Sequence, residues 1–159
     1  MTYDLIQEQV LSSAAASVTF SNIPQGFKDL VLEIVGSLSA AQAIVAQFNG
    51  DTGSNYSLTQ ITGDGSTAAS GRSSNQTYVV IGDFNTALSM STTNIQSYSN
   101  TNVFKTALTR ASSVNSGDRV MARVHLWRST SAITSILIYG FASTNLSVNS
   151  TFRLWGVAG

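Results

Sequence analysis

The segment Val120-Met-Ala-Arg-Val-His-Leu-Trp127 decides the fold class. Apolar residues occupy every second position, which is the two-residue period of a β-strand with one buried face. One set of alternate positions is expected to face the core: Val120, Ala122, Val124 and Leu126. The other set is expected to face outwards: Met121, Arg123, His125 and Trp127.

Nine further β-rich runs lie between turn signals, at the spacing typical of sandwiches and barrels. Helical periodicity is weak, and only the Ala-rich run Ser37–Gln47 could form about two helical turns. With one proline and no linker, residues 1–159 are expected to form one domain. The pattern predicts an all-β fold, a jelly-roll-like antiparallel β-sandwich of about ten strands. The predicted strands are Tyr3–Leu11, Ser17–Phe20, Asp29–Val35, Ala43–Phe48, Tyr56–Ile61, Thr77–Ile81, Val103–Arg110, Val120–Trp127, Ile133–Tyr139 and Thr151–Val157.

Four polar segments are predicted to be connections. Asn49-Gly50-Asp51-Thr52-Gly53 stands between two predicted strands, and Asn-Gly in that setting is the strongest short-range hairpin signal. Gly63–Gln76 is expected to be an exposed loop, of a length that is usually functional or disordered. Asp83–Thr93 is expected to be a second polar connection, and Ser116-Gly117-Asp118 a turn.

The composition indicates a protein that works inside an assembly. Charged residues make up 10% of the chain, against about 25% in ordinary soluble domains. The 25 serines and 17 threonines fill much of that gap and give a weakly self-repelling surface. Two lysines and a net charge of zero argue against nucleic acid as a partner. There is no cysteine, no signal-peptide pattern and no apolar run of about 20 residues, so we expect a cytoplasmic product that does not enter membranes.

The charges are unevenly distributed along the chain. The net charge is −4 through Asp118, whereas Arg119, Arg123, Arg128 and Arg153 follow without an acid. One interpretation is a basic edge that meets an acidic neighbouring subunit. The other is that strands from the two parts interleave and their charges cancel, which a sandwich fold favours.

The sequence gives little support for catalysis, and we expect no enzyme activity, catalytic residue, cofactor or metal site. His125 is the single histidine, and no Gly-x-Ser-x-Gly elbow accompanies it. Asp51, Asp64, Asp83 and Asp118 all adjoin glycine, as turn geometry alone selects. The alternative, a glycan hydrolase, would require Asp51 and Asp64 to pair across a groove.

Aromatic residues beside arginines give the candidate interface. Trp and Arg are enriched at interface hot spots, and on the predicted faces Trp127 accompanies Arg123 and His125, while Trp155 accompanies Arg153. The alternative is that the core absorbs the tryptophans. Phe152 and Leu154, which alternate with Arg153 and Trp155, are expected to be core residues.

Three stretches resemble a domain common in virion proteins of tailed bacteriophages. They are the opening Ser17–Gln25 with Phe27–Leu32, the run Phe48-Asn-Gly-Asp-Thr-Gly-Ser-Asn-Tyr56, and the closing Ala132–Ile136 with Phe152–Gly156. The resemblance covers nearly the whole chain, and the second run is its most specific part. It implies a virion structural module, with a folding role at a hairpin for the motif residues Phe48, Asn49, Gly50, Asp51, Asn55 and Tyr56.

The expected function is therefore capsid decoration. A decoration, or cement, protein binds the major capsid protein where capsomers meet and stabilises the assembled shell by mass action. The resemblance to this family also implies a homotrimer that is located in the virion and made in the host cytoplasm. The alternative is a tail or head-fibre module that contacts the host surface or glycans, for which Gly63–Gln76 is the candidate contact segment.

Overall fold

The computed structural model describes residues 2–113 and 119–159, and the predicted turn Ser116–Asp118 lies outside them. Within those residues the chain forms antiparallel strands and one short 3-10 turn, Phe141–Ser143. No helix there is long and apolar enough to cross a membrane. The strands are β1 (Tyr3–Val10), β2 (Ser17–Phe20), β3 (Asp29–Gly36), β4 (Gln42–Phe48), β5 (Tyr56–Gly63), β6 (Ala68–Gln76), β7 (Val79–Phe84), β8 (Ser89–Gln96), β9 (Lys105–Ser113), β10 (Arg119–Trp127), β11 (Ile136–Gly140) and β12 (Thr151–Val157).

The strand order confirms the predicted β-sandwich and gives it jelly-roll connectivity. One sheet runs β1-β12-β3-β8 and continues as β9-β10-β5-β6, while the other runs β2-β11-β4-β7. The strands β1-β12-β3-β8 of the first sheet and β2-β11-β4-β7 of the second are paired in the order found in an eight-stranded jelly roll. Two hairpins, β5-β6 and β9-β10, are insertions that extend the first sheet to eight strands.

The core lies between the two sheets. Each of the strands β3, β4, β11 and β12 contributes alternate apolar side chains that are almost fully buried. Phe152 and Leu154 are among them, as predicted. Burial of each such side chain contributes about 1.5–3 kcal/mol, so this apolar layer is the main source of stability.

Two predicted connections and the possible helical segment contain strand instead. Gly63–Gln76 includes β6, Asp83–Thr93 includes the start of β8, and the Ala-rich run Ser37–Gln47 enters β4 rather than a helix. β6 is an edge strand whose side chains are largely exposed. An edge strand needs only backbone hydrogen bonds to its neighbour, so its serines and glycine give no apolar alternation to detect.

The predicted faces of β10 are wrong. Met121, Arg123, His125 and Trp127 point into the molecule and are at most 5% exposed, whereas Val120 is 65% exposed. The inward side chains meet polar partners on β7 and on the connection before β5, while the second sheet does not cover the opposite face. Both faces of β10 carry apolar residues. The alternation therefore identified a β-strand but did not show which of its two faces is buried.

Candidate functional site

The six motif residues form a connection between the two sheets, and the predicted hairpin is wrong. β4 ends at Phe48 in the four-stranded sheet, whereas β5 begins at Tyr56 in the eight-stranded sheet. A tight turn does form, because Asn49 and Gly50 have φ of 54° and 67° and the Asp51 N–H donates to the Phe48 carbonyl at 3.0 Å. Residues 51–55 then lead the chain to the other sheet, so the strands on either side never pair.

Asn49 fastens this connection to the segment before β11. Its side-chain Nδ2 donates to the Ala132 carbonyl at 2.8 Å. Its Oδ1 accepts from the backbone N–H groups of Thr134 at 2.8 Å and Ser135 at 3.1 Å. One amide side chain thus satisfies three backbone groups of a distant segment, which accounts for asparagine at this position.

Asp51 is the centre of the connection. Its carboxylate accepts from Trp127 Nε1 at 2.7 Å, from the Gly53 N–H at 2.8 Å and from Asn55 Nδ2 at 3.0 Å. Desolvation raises the pKa of Asp51, but the hydrogen bonds from Trp127, Asn55 and Gly53 outweigh it and hold the pKa below its ordinary value. The carboxylate is therefore a structural anion that ties the connection to β10.

Tyr56 completes the connection and joins it to the core. Its buried hydroxyl accepts from the Phe48 N–H and donates to the Asp51 carbonyl, both at 3.1 Å. The rings of Phe48, Tyr56 and Trp127 lie with centroids 5.6 to 6.2 Å apart. Each motif side chain named here makes bonds or packing contacts within the chain, which favours a structural role for this motif.

Arg123 and His125 join the extended sheet to the edge of β7. Arg123 pairs with Asp83 at 2.7 Å and donates to Gln60 Oε1 at 2.8 Å. His125 Nε2 lies 2.9 Å from the Val80 carbonyl, so this nitrogen carries the proton. These side chains, like Trp127, are buried within the chain and offer no surface to a partner, so their predicted interface role loses its basis.

Stability should depend on pH through His125. Burial, together with the nearby Arg123, lowers the pKa of His125 to about 4, despite the opposing hydrogen bond to Val80. The unfolded chain, with an ordinary pKa of 6.5, binds more protons between these values. Stabilisation by the neutral imidazole is complete above pH 6.5 and is lost as the pH falls towards 4. The total loss is about 3 kcal/mol, because one pKa unit corresponds to about 1.4 kcal/mol.

The measurement is urea unfolding from pH 7.5 to 4 for the wild type and for His125→Gln, which keeps a neutral donor near Val80. Both proteins have the same carboxylates, so the difference between their curves of stability against pH gives the contribution of the His125 imidazole. We expect the wild type to lose more stability than the variant across this range. Parallel curves would contradict a buried neutral His125.

Arg153 and Trp155 keep the predicted outward orientation. Both are partly exposed on β12, where Arg153 bonds to Glu8 on β1 and pairs with Glu33 on β3 at 2.9 Å. Arg123 and Arg153 thus pair with acids from earlier in the chain, which favours the interpretation that the charges of the two parts cancel. An interface role for Arg153 and Trp155 stays a prediction.

The four-stranded sheet leaves uncovered the outer face of β8, β9, β10, β5 and β6, which we call the outer patch. Its apolar members are Met90, Ile61, Val120 and Val124, exposed by 47 to 65%. The strand register places Arg72 and Arg110 on the same side. The five strands contain no Asp or Glu, so the outer patch is apolar and basic. Sequence analysis missed it because Val120 and Val124 were assigned to the core, and Arg72 and Met90 to polar connections.

The carboxylates proposed for hydrolysis cannot act together. Asp51 precedes β5 and Asp64 follows it, so eight strand residues, about 25 Å, separate them. Glycosidase carboxylates lie about 5–10 Å apart. Asp64 instead bonds Ser66 and Thr67 within its own turn. In residues 2–113 and 119–159, no group of three or more His, Asp or Glu side chains could hold a metal ion.

The fold and its surfaces define a jelly-roll β-sandwich with an extended sheet and an uncovered outer patch. No protein-family model matches the chain, and neither the curated proteins nor the solved structures contain a match.

Proposed function

We propose that this protein is a bacteriophage capsid decoration protein that binds the assembled shell, self-associates as a homotrimer and catalyses no reaction. The resemblance to virion domains supports the class. The outer patch is the observation that carries the proposal, because exposed apolar side chains grouped on one face of a protein mark interaction sites, whereas singly scattered ones are normal.

The charge of the outer patch specifies the partner's chemistry. Arg72 and Arg110 are exposed and make no ion pair with the described residues, and no acid on the five strands opposes them. The complementary partner is an apolar surface with acidic residues, which we assign to the seams between major capsid subunits. Such charge complementarity contributes to orientation and to the rate of association.

Substituting Val124 should release the protein from the shell. Val124 is 49% exposed, so Val124→Glu should fold, yet it places a carboxylate against an acidic partner within the outer patch. We expect shell affinity to fall about 100-fold, the effect of losing an interface hot spot of about 3 kcal/mol. The matched control is Val148→Glu, at a residue 50% exposed and outside these strands, which should bind like the wild type.

The measurement adds each protein to purified shells that lack it, and records bound protein and the temperature at which the shells break. Wild type and Val148→Glu should raise that temperature, and Val124→Glu should not. Equal robustness with and without the wild-type protein would refute the cement role. A copy number of a few to a few dozen per virion, rather than hundreds, would indicate a tail or fibre location instead.

A further inference from the structure

A concave surface lies on the four-stranded sheet, and none of its lining residues belongs to the five strands of the outer patch. It has a volume of about 610 Å³ and is formed where β11 ends, at the turn Phe141–Ser143, and at the residues just before β7. This volume lies within the range of small-ligand sites. Three aromatic side chains line it: Tyr78, Tyr139 and Phe141. We call it the aromatic pocket.

The aromatic side chains form an angled wall. The rings of Tyr78 and Phe141 are 5.5 Å apart between centroids and tilted by 57°. Phe141 is 39% exposed, and Tyr78 and Tyr139 are half-buried. Burial and the neighbouring Tyr78 raise the pKa of Tyr139, so the Tyr139 hydroxyl is neutral at physiological pH. Tyrosine offers an apolar ring face and a hydrogen-bonding group in the same side chain.

The polar groups of the pocket have free hydrogen-bonding capacity. Besides the two tyrosine hydroxyls, the side chains of Thr77, Ser143 and Asn145 line it. Within the described part of the chain, none of these five side chains forms a hydrogen bond, although Gln47 bonds the Thr77 backbone carbonyl. No lining residue is charged, so the pocket suits an uncharged ligand rather than an anion.

A strained turn holds the pocket in place. Ala142 and Ser143 are consecutive non-glycine residues with φ of 53° and 60°, a left-handed conformation that costs about 1–2 kcal/mol per residue. The turn closes with a bond from the Thr144 N–H to the Phe141 carbonyl at 3.2 Å. A Cβ at position 140 would lie 2.2 Å from the Thr144 carbonyl oxygen, so the close approach of these two backbone segments requires glycine at this position. Strained backbone of this kind is found at ligand sites, where it fixes side chains in advance.

We propose that the aromatic pocket binds an uncharged hexopyranose unit of a glycan. A pyranose ring has an apolar face of C–H groups that can lie on an aromatic ring, and hydroxyls around its edge that donate and accept hydrogen bonds. The aromatic wall and the unpaired hydroxyl and amide groups match these two properties. This activity is separate from shell binding and would give a particle-bound protein a contact with carbohydrate.

The test uses immobilised oligosaccharides of glucose, galactose and mannose, with oligogalacturonate as an acidic comparison. Wild-type protein is expected to bind at least one neutral oligosaccharide and to bind the acidic one more weakly. Phe141→Ala should reduce affinity at least about tenfold, which corresponds to the loss of one aromatic contact. Tyr139→Phe keeps the ring, removes one hydroxyl and should reduce affinity by less.

The matched control is Phe104→Ala, since Phe104 is 50% exposed, lies just before β9 and does not line the pocket. Its glycan binding should equal that of the wild type. No binding to any neutral oligosaccharide, or equal losses in Phe104→Ala and Phe141→Ala, would overturn the proposal. The shell-binding defect of Val124→Glu should leave glycan binding intact, so failure of either proposal can be recognised independently of the other.

Discussion

Replacing Asp51 with alanine is expected to lower the free energy of unfolding by about 3 kcal/mol. The substitution removes the acceptor for the Trp127 indole N–H, and the indole is only 2% exposed. An unpaired buried donor costs about 1–3 kcal/mol, and bonds to a charged group are the stronger ones. The bonds from Gly53 and Asn55 are lost as well, so the connection between the sheets also loses local order.

A double-mutant cycle with Trp127→Phe tests whether the two residues act through their shared hydrogen bond. We expect a coupling energy of about 1.5–3 kcal/mol, measured by urea unfolding of the wild type, both single variants and the double variant. The control is Asp64→Ala, because the Asp64 carboxylate bonds only within its own exposed turn and should affect stability less. Additive effects of the Asp51 and Trp127 substitutions would contradict this account.

Replacing Lys105 with methionine should have an effect of similar size. Lys105 is 1% exposed, and its ammonium donates to three backbone carbonyls: Asn100 at 2.6 Å, Val103 at 2.8 Å and Thr130 at 3.1 Å. Methionine fills a similar volume but leaves these carbonyls without their donor. The expected loss is about 3 kcal/mol, which lowers Tm by roughly 6–12 °C in a chain of this size.

Thermal unfolding of Lys105→Met is compared with that of Lys28→Met, a substitution of the other lysine in the chain. Lys28 is exposed, and its side chain makes no hydrogen bond with the described residues, so its loss should leave Tm nearly unchanged. Equal Tm values for the two variants would mean that the ammonium of Lys105 is not required. Burial lowers the pKa of Lys105, but three acceptors satisfy its three N–H groups.

Sequence reasoning predicted the fold class because period-two alternation is a local property. The alternation over residues 120–127 fixed a strand, but both of its faces carry apolar residues and either could have been buried. The polar partners at β7 and Asp51 that favour the side of Arg123 and Trp127 lie far away in sequence. The wrong assignment of the faces of β10 removed the basis for three of the five candidate interface residues, Arg123, His125 and Trp127.

For the motif residues, too, the local conformation was predictable from the sequence and the pairing of strands was not. Asn49-Gly50 does form a tight turn with positive φ at both positions, as its sequence predicts. Whether the flanking strands then pair depends on which sheet each one joins, and local sequence carries no information about that. The aromatic pocket was missed for the same reason, since Tyr78 and Phe141 lie 63 positions apart and meet only where β11 ends near β7.

By itself, the sequence determined an all-β sandwich, its approximate strands and its low charge, because backbone geometry imposes a short repeat that can be counted residue by residue. Only the tertiary structure decided which sheet each strand joins, which face is uncovered and which side chains converge in the aromatic pocket. Those outcomes depend on contacts between distant segments. Each is selected by the burial and hydrogen bonding of the whole chain rather than by any one stretch of it.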